Sequence, residues 1–198
     1  MIPMRFMSKL GNHVILIEGV TIHVRVIDRA ILLTLEIFEL RSLIKTTTAV
    51  GLVVKFNESR SPVMLQLCVG TRCVVIPLNH LDNFPKCLKE FLADPETCFV
   101  GVDTFRGVNR LKWNYEIEGA SSMEVRELAA KTLKKPDLRV AVGGWGQLAA
   151  EVGLSLEESP SSVKIPWESY VFTDEQIKYA IRDVYLSQLI GSKLLARL

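Results

Sequence analysis

The chain has 198 residues, 48% of them hydrophobic and 23% charged, with a formal net charge of +2. That balance excludes a disordered chain, and the length suits one domain that buries most of its apolar surface without staples. No apolar run is long enough for a transmembrane helix, and the first ten residues lack the charged-then-apolar order of a secretory signal. We therefore expect an intracellular protein of cytoplasm or nucleus, with no membrane partner.

In chain order, His13–Glu18 and Thr21–Ile27 are rich in Val, Ile and Thr around Gly19 and predict an N-terminal hairpin over 13–27. Residues 34–44 carry apolar positions at helical spacing. Three strand-like runs follow, Ala49–Phe56, Val63–Val69 and Arg72–Pro77, the last two joined by a tight turn at Gly70–Thr71 and therefore antiparallel. A helix is expected over 82–92, then a buried strand at Cys98–Val102 after the Asp94–Pro95 break. Helices are expected near 106–113, 121–132, 143–153 and 173–196, with an ordered connecting loop at 155–170. Thr173 and Gln176 have the spacing of a capping box at the start of the last helix. The order of elements predicts one α/β domain over 1–198, with a core over 48–198 and helices packed on a mixed sheet.

Four cysteines are present, Cys68, Cys73, Cys87 and Cys98, at spacings that are not those of a zinc site. Cys68 and Cys73 flank the Gly70–Thr71 turn and should face each other across the hairpin as reduced core thiols. His13, His23 and His80 stand singly and read as structural or surface residues. The Gly143–Gly146 cluster lacks the Lys and Ser/Thr of a phosphate loop and reads as structural.

The last helix carries the most informative pair. Tyr179 and Asp183 are four residues apart and project from one helix face, while Ile177, Ala180, Ile181 and Val184 collect on the other. A phenol beside a carboxylate can orient a water and help to hold a divalent metal. By itself the same spacing also describes a solvated helix face.

Several segments together resemble one family. Leu65–Ile76, Phe91–Pro95 with Phe99–Val102, and Trp167 followed by Phe172–Asp183 resemble the ribonuclease D / Werner-syndrome-type 3′-5′ exonuclease domain. The wording is most similar to the small stand-alone plant members, and the match runs in order from about residue 13 to residue 195. The resemblance implies a ribonuclease H-like fold. It also implies a site in which four acidic residues hold two Mg²⁺ or Mn²⁺ ions and a tyrosine positions the water that cleaves the terminal phosphodiester.

On that resemblance, Tyr179 and Asp183 are the retained catalytic residues of the third motif, Asp183 being the one metal ligand kept. The first motif departs: Val53 and Lys55 stand at the two acidic positions and share one strand face. The second departs as well, with Gly107 at the acidic position and Asp103 nearby. Three carboxylates of four are absent and one has become a cation. At an effective dielectric of about 20, unit charges about 4 Å apart interact by about 4 kcal/mol, and a divalent ion doubles the term.

The expected function is a 3′-5′ exonuclease-like domain that binds single-stranded nucleic acid and has lost or nearly lost hydrolysis. Lys55 is expected to pair with Asp183 in the former metal cleft while Val53 fills the space of a metal. A Mg²⁺- or Mn²⁺-dependent exonuclease on single-stranded RNA or DNA is the alternative, with Asp103 or a neighbouring subunit lending acids. A third reading is an oligomeric assembly or partner-binding subunit, with a homo-oligomer as the possible assembly. Phe56, Arg106 and Arg110 are the candidate nucleic-acid contacts, by stacking and by phosphate pairing.

Overall fold

The structure, a computed structural model, describes residues 11–44, 48–117, 122–140, 144–156 and 172–198. Seven strands form one mixed sheet: β1 (Asn12–Ile17), β2 (Val20–Val26), β3 (Val50–Phe56), β4 (Pro62–Val69), β5 (Arg72–Pro77), β6 (Phe99–Gly101) and β7 (Met123–Glu124). Their spatial order is β1-β2-β5-β4-β3-β6-β7. The β1/β2, β3/β4 and β4/β5 pairs are antiparallel, as two-residue and short turns require, and β2/β5, β3/β6 and β6/β7 are parallel. β4 is buried along its whole length, which its unbroken apolar reading explains: a central strand has core on both faces.

Helices cover both faces. α1 (Ala30–Leu43), α2 (Lys86–Leu92) and α3 (Thr104–Tyr115) pack on one side, where Leu33, Ile37, Leu52, Val54, Leu65, Phe91 and Leu111 share a core. The long α6 (Asp174–Leu195) crosses the other side, where Ile22, Val53, Met64, Val75, Ile177 and Val184 share a second. α4 (Val125–Thr132), a short 3-10 turn (Pro136–Val140) and α5 (Gly144–Glu151) pack with the end of α6 around a third cluster that includes Ala49, Val100, Leu128 and Leu148. This is the mixed sheet flanked by helices that the sequence predicts.

Element boundaries differ where distant side chains set them. α1 begins at Ala30, four residues before the expected start, because its first N–H donates to Asp82 Oδ1 (2.8 Å). That bond is the main reason the Asp82 carboxyl titrates below its usual range. α2 starts only at Lys86, since Pro85 precedes it in extended conformation. α3 opens at Thr104, whose N–H donates to Glu124 Oε1 across 20 residues. The helix expected from 121 begins at Val125, because Met123–Glu124 pair with Val100–Gly101 as a strand. From residue 157 on, the expected loop at 155–170 lies outside the described residues, as do Trp167 and Gly143.

Cys68 and Cys73 are direct cross-strand partners with Sγ atoms 2.7 Å apart, as expected of that hairpin, and are free thiols. Burial, with the neighbouring Cys68, pushes the Cys73 thiol well above its usual range, so it is no nucleophile. Glu36, fully buried on α1, takes Arg25 from β2 and Arg72 from β5 as partners and so fastens α1 to the sheet. His13 has a partner that spacing did not reveal: its Nδ1 lies 2.7 Å from Asp174 Oδ1 at the start of α6.

Candidate active-site cleft

The cleft is built by β3 and α6. Gly51 lets them meet: a Cβ there would stand 2.2 Å from the Val184 carbonyl oxygen. α6 can therefore lie directly on β3, and the residue before Val184 is Asp183. At its start α6 is fixed by a complete capping box, Thr173 accepting from the Gln176 N–H and the Gln176 side chain accepting from the Thr173 N–H. From the facing strand, Val53 and Lys55 point to the same side.

Lys55 Nζ donates to Asp183 Oδ2 at 2.9 Å, the pairing expected from the sequence. The other carboxylate oxygen is occupied too, since Trp145 Nε1 on α5 donates to Asp183 Oδ1 at 2.9 Å. Ser187, one turn on, donates to the Asp183 carbonyl oxygen at 2.7 Å. Lys55 keeps 17% of its side-chain surface accessible and Asp183 keeps 33%, so the pair sits at the mouth of the cleft and is only partly dry. Val53 is 2% exposed and packs beneath it among the α6-facing core residues.

A pair of divalent ions needs several carboxylate oxygens to offset charge and complete octahedral shells. Among the described residues the donor set here is one carboxylate held between an ammonium and an indole N–H, with a valine at its side. It does not fit such a pair. Among the described residues no group of three or more His, Cys, Asp or Glu side chains is placed to hold a metal ion.

The remaining sequence candidates divide between two places. Tyr179 lies one turn before Asp183, half-buried against the α6-facing core. Gly107 is not in this cleft. It packs under α3 on Val54, which points to the opposite face of β3 from Val53 and Lys55, and a Cβ there would come within 3.0 Å of Val54 Cγ2. Close approach of α3 to the sheet accounts for a glycine at this position. Phe56, at the end of β3, is half-buried, and the Arg106 guanidinium lies 4.4 Å above its ring. Arg106 also stands 3.8 Å from Asp103, which is exposed and pairs with this cation at the head of α3. Arg110 is exposed one turn further along.

Trp145 is the residue that sequence reasoning missed. It lies 38 positions from Asp183, and no local spacing links the two.

No family model matches the chain. A curated relative, exonuclease 3′-5′ domain-containing protein 2 of Drosophila melanogaster, is 27% identical over 139 residues, covering 69% of this chain and 23% of that protein. The chain thus spans about a quarter of the length of the curated relative it matches. Among solved structures, Escherichia coli RNase D, an exoribonuclease involved in structured RNA processing, superposes with a TM-score of 0.66 at 19% identity, over 87% of this chain and 44% of that one. The EXD2 exonuclease domain soaked in Mg and dGMP gives 0.52 at 22% identity, over 87% and 89% of the two chains. The same domain soaked in Mn gives 0.52 at 22%, over 88% and 90%.

Proposed function

Starting from a chain that carries the ribonuclease H-like fold of a 3′-5′ exonuclease domain, we propose that it is a catalytically impaired member of that group which binds single-stranded nucleic acid. The observation that carries this reading is the Lys55–Asp183 ion pair. The ammonium occupies the position from which a metal would have to draw the carboxylate, and the indole of Trp145 holds the second oxygen. Tyr179 and Asp183 remain from the ancestral chemistry, and Val53 and Lys55 mark its loss; Gly107, at the second-motif position, packs on Val54 outside the cleft. Residues 1–198 act as one domain, of the plant type, in cytoplasm or nucleus. Among the described residues no helix is long and apolar enough to cross a membrane.

The test is incubation of purified protein with end-labelled single strands in Mn²⁺, beside an Asp183→Ala control. The expected result is intact label with the protein still retarding the strand on a native gel. Laddering that disappears in the control would replace this reading with a Mg²⁺- or Mn²⁺-dependent exonuclease. That enzyme would have to draw its acids from Asp103 or from another subunit, against the pairing of Asp103 with Arg106.

A second reading, a self-associating subunit, is favoured by one observation. α1 presents Ile31, Leu32, Leu35 and Phe38 to solvent, and β1 adds Val14 and Leu16. Large exposed apolar side chains on one element mark interaction surfaces more often than scattered ones do.

A further inference from the structure

The outward face of α3 has no part in the Lys55–Asp183 cleft. Phe105 is 79% exposed and Trp113 is 84% exposed, both far outside the range of core aromatics. With Asn109 they form an i, i+4, i+8 row on one side of the helix, and Arg106 and Arg110 form the adjoining row. The buried residues of α3, Thr104, Gly107, Val108 and Leu111, lie on the opposite side. Phe105, Arg106, Asn109, Arg110 and Trp113 enclose a shallow groove of ≈ 320 Å³. Over Thr104–Tyr115 the helix carries three cations, Arg106, Arg110 and Lys112, and no acid.

We propose that this aromatic and cationic face of α3 is a stacking track for single-stranded nucleic acid. The proposal rests on the reading of the chain as a nucleic-acid-binding domain and assigns the surface that does the binding. Three observations point to this occupant. Flat apolar rings held in water are stabilised by an unpaired base laid on them, a contact that tolerates any sequence. Cations flanking the rings, with no acid between them, complement a phosphate backbone and would repel a basic partner. At about 1.5 Å per residue the two rings stand roughly 12 Å apart along the axis, which seats more than one base between them. Arg106 is stacked on Phe56 at the end of β3, on the face of the strand opposite Lys55, so the first cation is already oriented.

The experiment is fluorescence anisotropy of labelled oligothymidylate and oligouridylate with the full chain. It compares wild type, Phe105→Ala, Trp113→Ala and Trp113→Phe, with light scattering on each protein. All three substitutions are at exposed positions and leave the fold intact. Phe105→Ala and Trp113→Ala should each weaken binding about tenfold, within the range of one lost base stack, and Trp113→Phe should restore most of it. A duplex of the same length should bind more weakly than the single strand, because its bases are not free to stack. If wild type binds but both alanine variants bind equally well, the track is refuted and the strand lies elsewhere, while the nucleic-acid-binding reading stands. If wild type binds neither oligonucleotide, both readings fall together. If the alanine variants change the protein's mass without changing affinity, the face is a contact between copies, and the proposal is overturned in favour of that.

Discussion

Lys55 sets the chemistry of the cleft through its contact with Asp183, so the energetic weight of that contact decides how secure the site is. Asp183 accepts two hydrogen bonds at 2.9 Å, one from an ammonium and one from an indole. Removing the carboxylate leaves an amine that is mostly shielded from water without its counter-charge. Fully buried pairs lose about 3–5 kcal/mol when broken, but a third of the Asp183 side chain is wet, so the cost is nearer 2 kcal/mol. Trp145→Phe keeps a smaller aromatic ring at a half-buried position and deletes one bond, at about 1 kcal/mol. Urea unfolding should therefore rank Asp183→Ala below Trp145→Phe and both below wild type. An Asp183→Ala protein as stable as wild type would mean that the ion pair contributes nothing in solution. The Lys55–Asp183 partnership could be read from the sequence because motif placement puts both on one facing strand and helix. Trp145 could not, since its reach to Asp183 depends on how α5 docks against α6, a tertiary fact with no local period.

Two glycines govern how closely helices approach β3, and they differ in kind. At Gly51 an added methyl meets the backbone oxygen of Val184 at 2.2 Å, and backbone cannot step aside without moving the helix that carries Asp183. At Gly107 it meets Val54 Cγ2 at 3.0 Å and Val54 Cβ at 3.1 Å, contacts short by a few tenths of an ångström that a small shift of α3 relieves. There the helix also gains, because alanine is favoured over glycine in a helix interior by about 1 kcal/mol. Gly51→Ala is thus expected to cost about 3 kcal/mol or more, and Gly107→Ala to stay within about 1 kcal/mol of wild type. Thermal melts of the two variants check this, and equal losses would contradict the packing described. At this scale the strands and the long last helix were legible, because apolar alternation, turn residues and the Thr173–Gln176 box act locally. The starts of α1 and α3 were not, since Asp82 and Glu124 cap them from 52 and 20 positions away. The second-motif glycine was found by position, but its packing on the far face of β3 needed the fold.

Across the whole molecule, charge is nearly balanced, 24 basic against 22 acidic side chains, so any attraction for a polyanion must come from how the charge is distributed. Many cations are already neutralised within the fold: Lys55 by Asp183, Arg72 by Glu36 and Glu39, Lys131 by Glu127, Lys135 by Glu151 and Arg182 by Glu18. α3 contrasts in part: Arg106, Arg110 and Lys112 lie on an element that holds no acid of its own, although Asp103 just before it pairs with Arg106. Binding confined to that helix displaces counterions from about three phosphates. For a single strand this gives a slope of about −2 for log K against log salt concentration. Affinity should then fall only modestly between low and physiological salt, with the remainder supplied by stacking that salt does not screen. Arg110→Ala should make the slope shallower by about 0.7, which anisotropy titrations at several salt concentrations resolve. A wild-type slope near −5 would require several more cations than α3 possesses, and the strand would then have to wrap a much larger part of the surface than one helix.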